Sequence, residues 1–216
     1  MTTTHPFGRT VDTLARLREI LPAPAPDAIS MIKVLDHMDV HVRRFIENSP
    51  YALVASASPE GFCDASPRGG DPGFIRVLDD RHLLIPEATG NRRADTLANL
   101  VANPYIGMLF LIPGYEETLR LNGRVFITED PAVLAGSEMI NGKPPALGIG
   151  IRVEECFLHC AKAAMRSSIW NPMGWPDLDV IPTAAEMFVA HTGSRIGDGS
   201  VKDVQMLLND SYTNRL

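Results

Sequence analysis

The sequence predicts a mainly β protein of the α+β class, in which a central β-barrel is flanked by N- and C-terminal helices. Between Tyr51 and His159, short runs rich in β-branched and aromatic residues alternate with turns that contain Gly, Pro or Asp. Such spacing is typical of meandering strands. On both sides of this region, apolar residues recur at the helical spacing of three and four. These two patterns together define the predicted fold class.

The first 37 residues are predicted to form a helical extension, separate from a domain that covers residues 38–216. Leu14, Leu17 and Leu21 fall at helical spacing, and the following "LPAPAPDA" cannot continue a helix because its alternating prolines lack the backbone donor. That segment indicates a stiff linker. The stretch "DHMDVHVRRFIENSP" then predicts an amphipathic helix that ends at Ser49-Pro50.

The remaining elements follow in order along the chain. The predicted strands are "YALVASA", "GFCDASP", "GFIRVLD", "HLLIPE", "YIGMLFLIP", "ETLRLNGRVFIT" and "LGIGIRVEECFLH". A helix containing Leu97, Leu100 and Val101 interrupts the strands, and three more follow them in "CAKAAMRSSIW", "TAAEMFVAH" and "VKDVQMLLN".

Composition narrows the classes of function. The 216 residues are 45% hydrophobic and 21% charged, with a net charge of −6, which disfavours a general binder of nucleic acid or acidic membranes. No apolar run reaches the roughly 18 residues that span a bilayer, and no secretory signal is visible, so we expect a cytoplasmic protein. Three cysteines without a repeating spacing predict reduced thiols.

The stretch "GNRRADTLANL" places two adjacent arginines between a strand and a helix. We predict Asn91 as the N-cap of that helix, whose first-turn N–H groups and positive dipole end attract anions. Arg92 and Arg93 would repel each other there unless a dianionic phosphate neutralised them, which predicts a phosphate site. The alternative is that both side chains extend into solvent or pair with Asp95.

Two other stretches are candidates for ligand contact. In "DASPRGGDPGF", glycines permit close backbone approach and prolines hold an extended edge that could face a flat heterocycle; a plain loop is the alternative. In "ETLRLNGRV", strand alternation places Thr118, Arg120 and Asn122 on one face and two leucines on the other. That polar face predicts either a ligand surface or the solvated side of an antiparallel strand.

The stretch "HCAKAAMRSSIW" is predicted to be a helix with a cationic stripe. His159, Lys162, Arg166 and Trp170 are separated by three, four and four residues, which would place them on one helix face. Such a stripe would suit an anionic aromatic ligand, and a solvated helix face is the alternative.

We expect no metal site. The histidines of "HMDVH" have helical spacing but no third ligand, and "CFLHC" has no second Cys/His pair, which favours buried thiols. The motifs of serine hydrolases, P-loop NTPases and dinucleotide-binding folds do not occur.

The ordered series "DASPRGGDPGF", "LLIPEATGNRRADTLANLVANPYIGMLFLIPG" and "ETLRLNGRV" resembles the pyridoxamine 5′-phosphate oxidase-like, FMN-binding split-barrel family. The later "HCAKAAMRSSIW" resembles the C-terminal segment of an uncharacterised bacterial branch of that family. The likeness covers roughly Val40 to Trp170. It implies a six-stranded split barrel that forms a homodimer, with FMN in two equivalent clefts at the subunit interface.

The resemblance also implies a set of cofactor-binding residues. The family's phosphate-binding turn corresponds to Asn91, Arg92 and Arg93. Thr118 corresponds to a polar contact with the flavin ring, and Arg120 lies two residues further along the same strand face. Lys162 and Arg166, with Trp170, are candidates for the partner subunit's contribution. The strand that lies along the isoalloxazine corresponds to Asp64, Ala65, Ser66, Pro67 and Arg68.

Two departures bear on the activity. The chain has "DASPRGG" where the oxidase proper has a basic-aliphatic-lysine strand, and "NDSYTNRL" does not reproduce the oxidase's C-terminal substrate motif. The resemblance implies an FMN-dependent oxidoreductase with an unidentified small-molecule substrate, and because of these two departures we expect no synthesis of pyridoxal phosphate. The alternatives are a non-catalytic flavin-binding carrier or sensor and an F420-dependent reductase.

Overall fold

Seven antiparallel strands form one sheet, in the order β2-β1-β5-β6-β7-β4-β3. This computed structural model describes residues 6–87, 93–140, 142–193, 195–196 and 199–214. The strands are β1 (Tyr51–Ala57), β2 (Cys63–Gly69), β3 (Arg76–Val77), β4 (His82–Glu87), β5 (Tyr105–Leu111), β6 (Thr118–Thr128) and β7 (Leu147–His159).

The predicted split barrel with flanking helices is confirmed, with one more strand than the resemblance implies. The extra strand is β3, which has only two residues and pairs with β4. The run "GFIRVLD" is mostly not a strand, because Gly73 has a φ of +95° and Phe74 and Ile75 are buried before pairing begins. β2 and β3 are the two edges of the sheet.

The interior of the barrel is built by strand alternation. On β1, alternate residues from Ala52 to Ser56 are buried, and their neighbours are exposed. β5 and β6 show the same period of two, with Phe110 and Leu121 fully buried. On β1, β5 and β6, one face therefore supplies the apolar core and the other forms an outer face, whereas four consecutive residues of β4 are buried.

A β-bulge between Asn122 and Gly123 shifts the register of β6 against β7. A side chain at position 123 would meet the carbonyl oxygen of Arg152 and lie 2.9 Å from Cγ2 of Ile151. Glycine is therefore required for the two strands to approach at the bulge.

Helices cover the barrel and follow it. Three of them, α3 (Val40–Glu47), α4 (Asp95–Ala102) and α5 (Pro131–Leu134), lie between or before the strands. The C-terminal part contains α6 (Lys162–Ser167), two 3₁₀ turns (Pro172–Gly174 and Leu178–Val180), α7 (Ala184–Thr192) and α8 (Val201–Asn214). Among the described residues, none of the helices combines the length and apolar character that crossing a bilayer requires.

The chain divides into two compact units, Met1–Leu35 and Asp36–Leu216. The smaller unit contains α1 (Leu14–Ile20) and α2 (Ile29–Ile32). The Thr13 hydroxyl caps α1 by accepting a hydrogen bond of 3.2 Å from the Arg16 N–H. The larger unit contains all seven strands.

Candidate functional site

Strand β2 divides the predicted cofactor residues between its two faces. The register pairs Asp64, Ser66 and Arg68 with Ser56, Val54 and Ala52, which are buried, so these three side chains point to the inner face. Ala65 and Pro67 point to the outer face. Although the five residues are consecutive in the sequence, only the side chains of Asp64, Ser66 and Arg68 lie on the inner face of the barrel.

Arg68 lies at the centre of a hydrogen-bond network that reaches the end of β4. Its Nε and Nη2 atoms donate to the two carboxylate oxygens of Glu87 at 3.3 and 3.2 Å. Its Nη1 atom donates to Ser66 Oγ at 2.7 Å and to the carbonyl oxygen of Pro67 at 2.9 Å. The bidentate geometry fixes the plane of the guanidinium. β2 and β4 do not pair in the sheet, so this contact spans the open side of the barrel.

A second contact joins β2 to the first turn of α4. The hydroxyl of Thr96, which is only 5% exposed, donates to the Asp64 carboxylate at 2.5 Å. Further along α4, Asn99 donates to Ser56 Oγ at 3.1 Å, and Asn103 donates to the carbonyl oxygen of Ala57 at 3.0 Å. These positions recur at helical spacing, so one polar face of α4 is fixed on β1 and β2.

The two contacts bracket the segment predicted to bind phosphate. Glu87 precedes residues 88–92 and contacts Arg68, and Thr96 follows them and contacts Asp64. Asn91 and Arg92 themselves lie outside the described residues. The flanks of the predicted phosphate turn are thus both attached to the strand predicted to contact the flavin ring.

The prediction that Asn91 is the N-cap of α4 is wrong. The helix begins at Asp95, and the N-cap is Ala94, which has a φ of 55° and makes no capping hydrogen bond through its side chain. The left-handed conformation costs a non-glycine residue roughly 1–2 kcal/mol. It turns the chain sharply between Arg93 and the helix, which is why the helix starts later than the pattern indicated.

Arg93 is largely exposed and makes an ion pair of 2.5 Å between its Nε atom and the carboxylate of Asp95. This is the alternative that the sequence left open for the two arginines, and it holds for Arg93. The contact is local and solvent-exposed, so it is worth little and is readily exchanged for another anion.

The electrostatics of the site centre on Glu87. The side chains of Glu87 and Arg68 are 14% and 16% exposed. Burial raises the pKa of Glu87 above its ordinary value, and the nearby Arg68 guanidinium opposes that increase. The pair is therefore a largely desolvated charge pair, unlike the exposed ion pairs elsewhere on the surface.

The polar face predicted on β6 is confirmed. Thr118, Arg120 and Asn122 lie opposite His159, Phe157 and Glu155 of β7, and the intervening Leu119 and Leu121 are buried. The Arg120 guanidinium lies 5.5 Å from the Phe157 ring centroid, and that ring stacks against His159 at 6.2 Å. Asn122 donates to Glu155 at 2.5 Å.

The structure does not bring this polar face next to β2 within one chain. The register places Pro67, Leu53, Leu109 and Arg120 in one row across the outer face, with β1 and β5 between β2 and β6. Three strand spacings correspond to about 14 Å. Arg120 is therefore on the same face as Pro67 but too far away for both to contact one ring in a single chain.

The predicted helical stripe is wrong in two of its four members. His159 is the last residue of β7, and α6 runs only from Lys162 to Ser167. Ser168 takes a left-handed conformation with a φ of 52° and ends the helix before Trp170. Lys162 and Arg166 remain exposed on α6.

The cysteines differ in environment. Cys156 is buried, and its thiol donates to the carbonyl oxygen of His37 at 3.1 Å. Cys160 is exposed, so the prediction of a buried thiol fails there. Cys63 is also exposed.

Sequence reasoning missed Glu87 and Thr96. Glu87 ends the otherwise apolar strand "HLLIPE", and a carboxylate at that position was the one available signal. Thr96 carried no signal, because its partner Asp64 is distant in the sequence.

Several solved structures are similar to this chain. HupZ from Group A Streptococcus is 24% identical, with a TM-score of 0.45, over 56% of this chain and 93% of that protein. An F420 reductase is 20% identical, with a TM-score of 0.40, over 53% and 94%. A pyridoxamine 5′-phosphate oxidase-related, FMN-binding protein from Nostoc punctiforme is 14% identical, with a TM-score of 0.36, over 52% and 74%.

No curated protein matches the chain. A family model does match it, and the match covers residues 38–160, which is more than half of the chain. The matched region begins just before α3 and ends just after β7, so it contains the whole sheet. That model describes pyridoxamine 5′-phosphate oxidase, and the chain belongs to this family.

Proposed function

We propose that the chain is an FMN-dependent oxidoreductase that acts on a small molecule. The observation that carries the proposal is the double attachment of β2 to the flanks of residues 88–92, through Arg68–Glu87 and Asp64–Thr96. A phosphate-binding turn and a ring-binding strand must be adjacent if they hold the two ends of one cofactor. Family membership supports a flavin as the cofactor.

The residues around the turn fit the FMN phosphate. Arg93 supplies a cation beside the N-terminus of α4, where the side chain of the N-cap residue Ala94 makes no capping hydrogen bond. A helix N-terminus of this kind favours an anion through its N–H groups and dipole. Asn91, Arg92 and Arg93 would hold the phosphate.

The open edge of β2 fits a flat heterocycle. The hydrogen bond of 3.1 Å from Gly70 N–H to the Pro50 carbonyl sets the phase of the β1–β2 ladder. Alternate pairs are hydrogen-bonded in such a ladder, so the backbone groups of Ala65 and Pro67 face away from β1. The Ala65 side chain is small and its backbone groups face the open edge, so the rim of the isoalloxazine would lie among Asp64, Ala65, Ser66, Pro67 and Arg68.

Bound FMN would supply hydride or electron transfer. The chain's own residues bind and orient the cofactor and set the charge around it. Arg68 is held rigidly by Glu87, and the more exposed Arg120 is ordered by the Phe157 ring. Neither is a nucleophile, so their contribution is electrostatic.

We further propose a homodimer with FMN at the subunit interface. The outer face of β1, β2 and β5 presents Leu53, Pro67 and Leu109 side by side; Leu53 and Pro67 are exposed and Leu109 is half-buried. A second copy would cover this apolar row. It would also bring Thr118 and Arg120, or Lys162 and Arg166, of one chain close to β2 of the other, which the 14 Å separation within one chain prevents.

The visible spectrum of the purified protein tests the cofactor. We expect the double band of oxidised flavin, or its appearance on adding FMN, and reduction of the bound flavin by NAD(P)H with turnover in the presence of an acceptor. A protein that gains no flavin signal overturns the proposal. Bound FMN without turnover would identify a carrier or sensor, and selective binding of F420 would identify the deazaflavin alternative.

The double variant Arg92→Ala/Arg93→Ala tests the phosphate assignment. Two charged hydrogen bonds at about 1.5–3 kcal/mol each predict a rise in the FMN dissociation constant of roughly 100-fold or more. The control is Arg16→Ala/Arg18→Ala, which removes the same charge from exposed positions of α1. Equal affinities in the two variants would refute the assignment.

A further inference from the structure

Burying the Arg68–Glu87 ion pair costs desolvation free energy. Both side chains are about 15% exposed, so each charge has lost most of its hydration. Burial alone would favour a neutral Glu87, as the raised pKa of this carboxyl indicates. An apolar pair of similar volume would join the same two strands without this cost.

The Nε, Nη1 and Nη2 atoms of Arg68 all donate hydrogen bonds within the protein. Nε and Nη2 are occupied by Glu87, and Nη1 is occupied by Ser66 and the Pro67 carbonyl. The guanidinium is therefore fixed in plane and position on the inner face of β2. Its charge is balanced by the carboxylate, so Arg68 does not act as an isolated cation.

Glu87 also has a defined place relative to the candidate site. It is the last residue of β4 and directly precedes residues 88–92, the predicted phosphate turn. Its partner Arg68 belongs to the ring-binding strand. The Glu87 carboxylate thus joins the proposed ring-binding strand to the residue that directly precedes the predicted phosphate turn.

We propose that Glu87 is a positioning residue, which fixes the Arg68 guanidinium beside the flavin and neutralises its charge there. This inference rests on the proposed function. It assigns to the pair an influence on the reduction potential of the bound cofactor, because a cation left unbalanced beside the flavin favours the reduced, anionic form. A contact that only closed the barrel would change stability and leave the potential unchanged.

The test is the midpoint potential of bound FMN at pH 8, measured against a reference dye in the full-length protein. Glu87→Gln leaves the charge of Arg68 without a counter-charge and is expected to raise the midpoint potential by about 30 mV. For two electrons this corresponds to a roughly tenfold higher ratio of reduced to oxidised flavin at a fixed potential. Arg68→Gln leaves the carboxylate and is expected to lower the potential. The double variant, which lacks both charges, is expected to return close to the wild-type value.

Glu60→Gln is the matched control, because it removes one carboxylate from an exposed turn and is expected to leave the potential unchanged. If Glu87→Gln does not fold, Arg68→Gln alone decides the question. An unchanged or raised potential in Arg68→Gln, or shifts of the same sign in both single variants, overturns the inference.

The experiment distinguishes a failure of the proposed function from a failure of the inference about Glu87. If the wild-type protein binds no FMN, the proposed function fails and this inference fails with it. If FMN binds and its potential is the same in every variant, the inference alone is overturned and the proposed function stands.

Discussion

Thr96 and Asp64 are joined by a hydrogen bond of 2.5 Å between residues 32 positions apart in the sequence. The contact fixes the beginning of α4 on β2, and Thr96 is almost completely buried. Because the Asp64 carboxylate is partly buried as well, it depends on this donor. Stability and the shape of the candidate site are therefore coupled at one side-chain contact.

Replacing Thr96 by Val keeps the volume and removes the donor. We expect a loss of about 1–3 kcal/mol in the free energy of unfolding, because a partly buried carboxylate loses a hydrogen bond. Urea denaturation of the variant and the wild type measures this difference in the free energy of unfolding. Thr10→Val changes an exposed threonine in the same way and is expected to have an effect within about 0.5 kcal/mol. Equal effects at the two positions would contradict the prediction.

Replacing Gly123 by Ala tests the bulge. The added methyl group meets the Arg152 carbonyl and Ile151, and backbone cannot rotate away as a side chain would. We expect a loss of about 1–3 kcal/mol or more, measured by thermal unfolding. Gly69→Ala serves as the comparison, since the nearest atom there is 3.5 Å away, an ordinary contact. A stable Gly123→Ala protein would show that β6 and β7 separate easily at this point.

The three thiols are expected to differ in reactivity. Burial, with smaller contributions from Asp39, Asp36 and Glu155, raises the pKa of Cys156 from 9.0 to about 11. A thiol reagent at pH 8 should therefore modify Cys63 and Cys160 quickly and Cys156 only after unfolding. A Cys63→Ser/Cys160→Ser protein should show the slow reaction alone. Rapid reaction of that protein would contradict the burial of Cys156.

The raised pKa of Cys156 also predicts a pH dependence of stability. The folded state keeps the proton between pH 9 and about 11, where the unfolded chain has lost it. The protonated Cys156 thiol therefore contributes to the free energy of unfolding. The contribution is fully present below pH 9 and is lost as the pH rises towards 11. A Cys156→Ala variant should lack it, so the stability difference between the two proteins should change over that interval.

Leu53→Arg tests the proposed dimer. A charge in the centre of the apolar row of Leu53, Pro67 and Leu109 should prevent a second copy from covering it, so sedimentation should show a monomer where the wild type is a dimer. Met173, which is 92% exposed, provides the control variant Met173→Arg, expected to remain dimeric. A monomeric wild-type protein would exclude the proposed assembly.

Local patterns predicted the elements well where each was bounded by turns. The bounds of β1, β4 and β7 agree with the predicted runs, which are rich in strand-forming residues. The polar face of Thr118, Arg120 and Asn122 followed from the period of two alone. These features depend only on residues close in sequence.

The errors arose where backbone conformation or distant partners decided the outcome. Ala94 and Ser168 take left-handed conformations that their residue types do not indicate, and they set the start of α4 and the end of α6. The Arg68–Glu87 pair joins strands that are not neighbours in the sheet, so no local pattern reveals it. The 14 Å between β2 and β6 follows from strand order, which periodicity does not specify.

The open edge of β2 is also a place where another polypeptide strand could add to the sheet. Unpaired edges of this kind promote polymerisation and amyloid-like assembly. Pro67 lies in the middle of the strand with its nitrogen towards the open side, so an added strand would lose a ladder bond at its centre. The edge therefore resists the addition of a second strand, and replacing Pro67 is expected to lower the solubility of the protein.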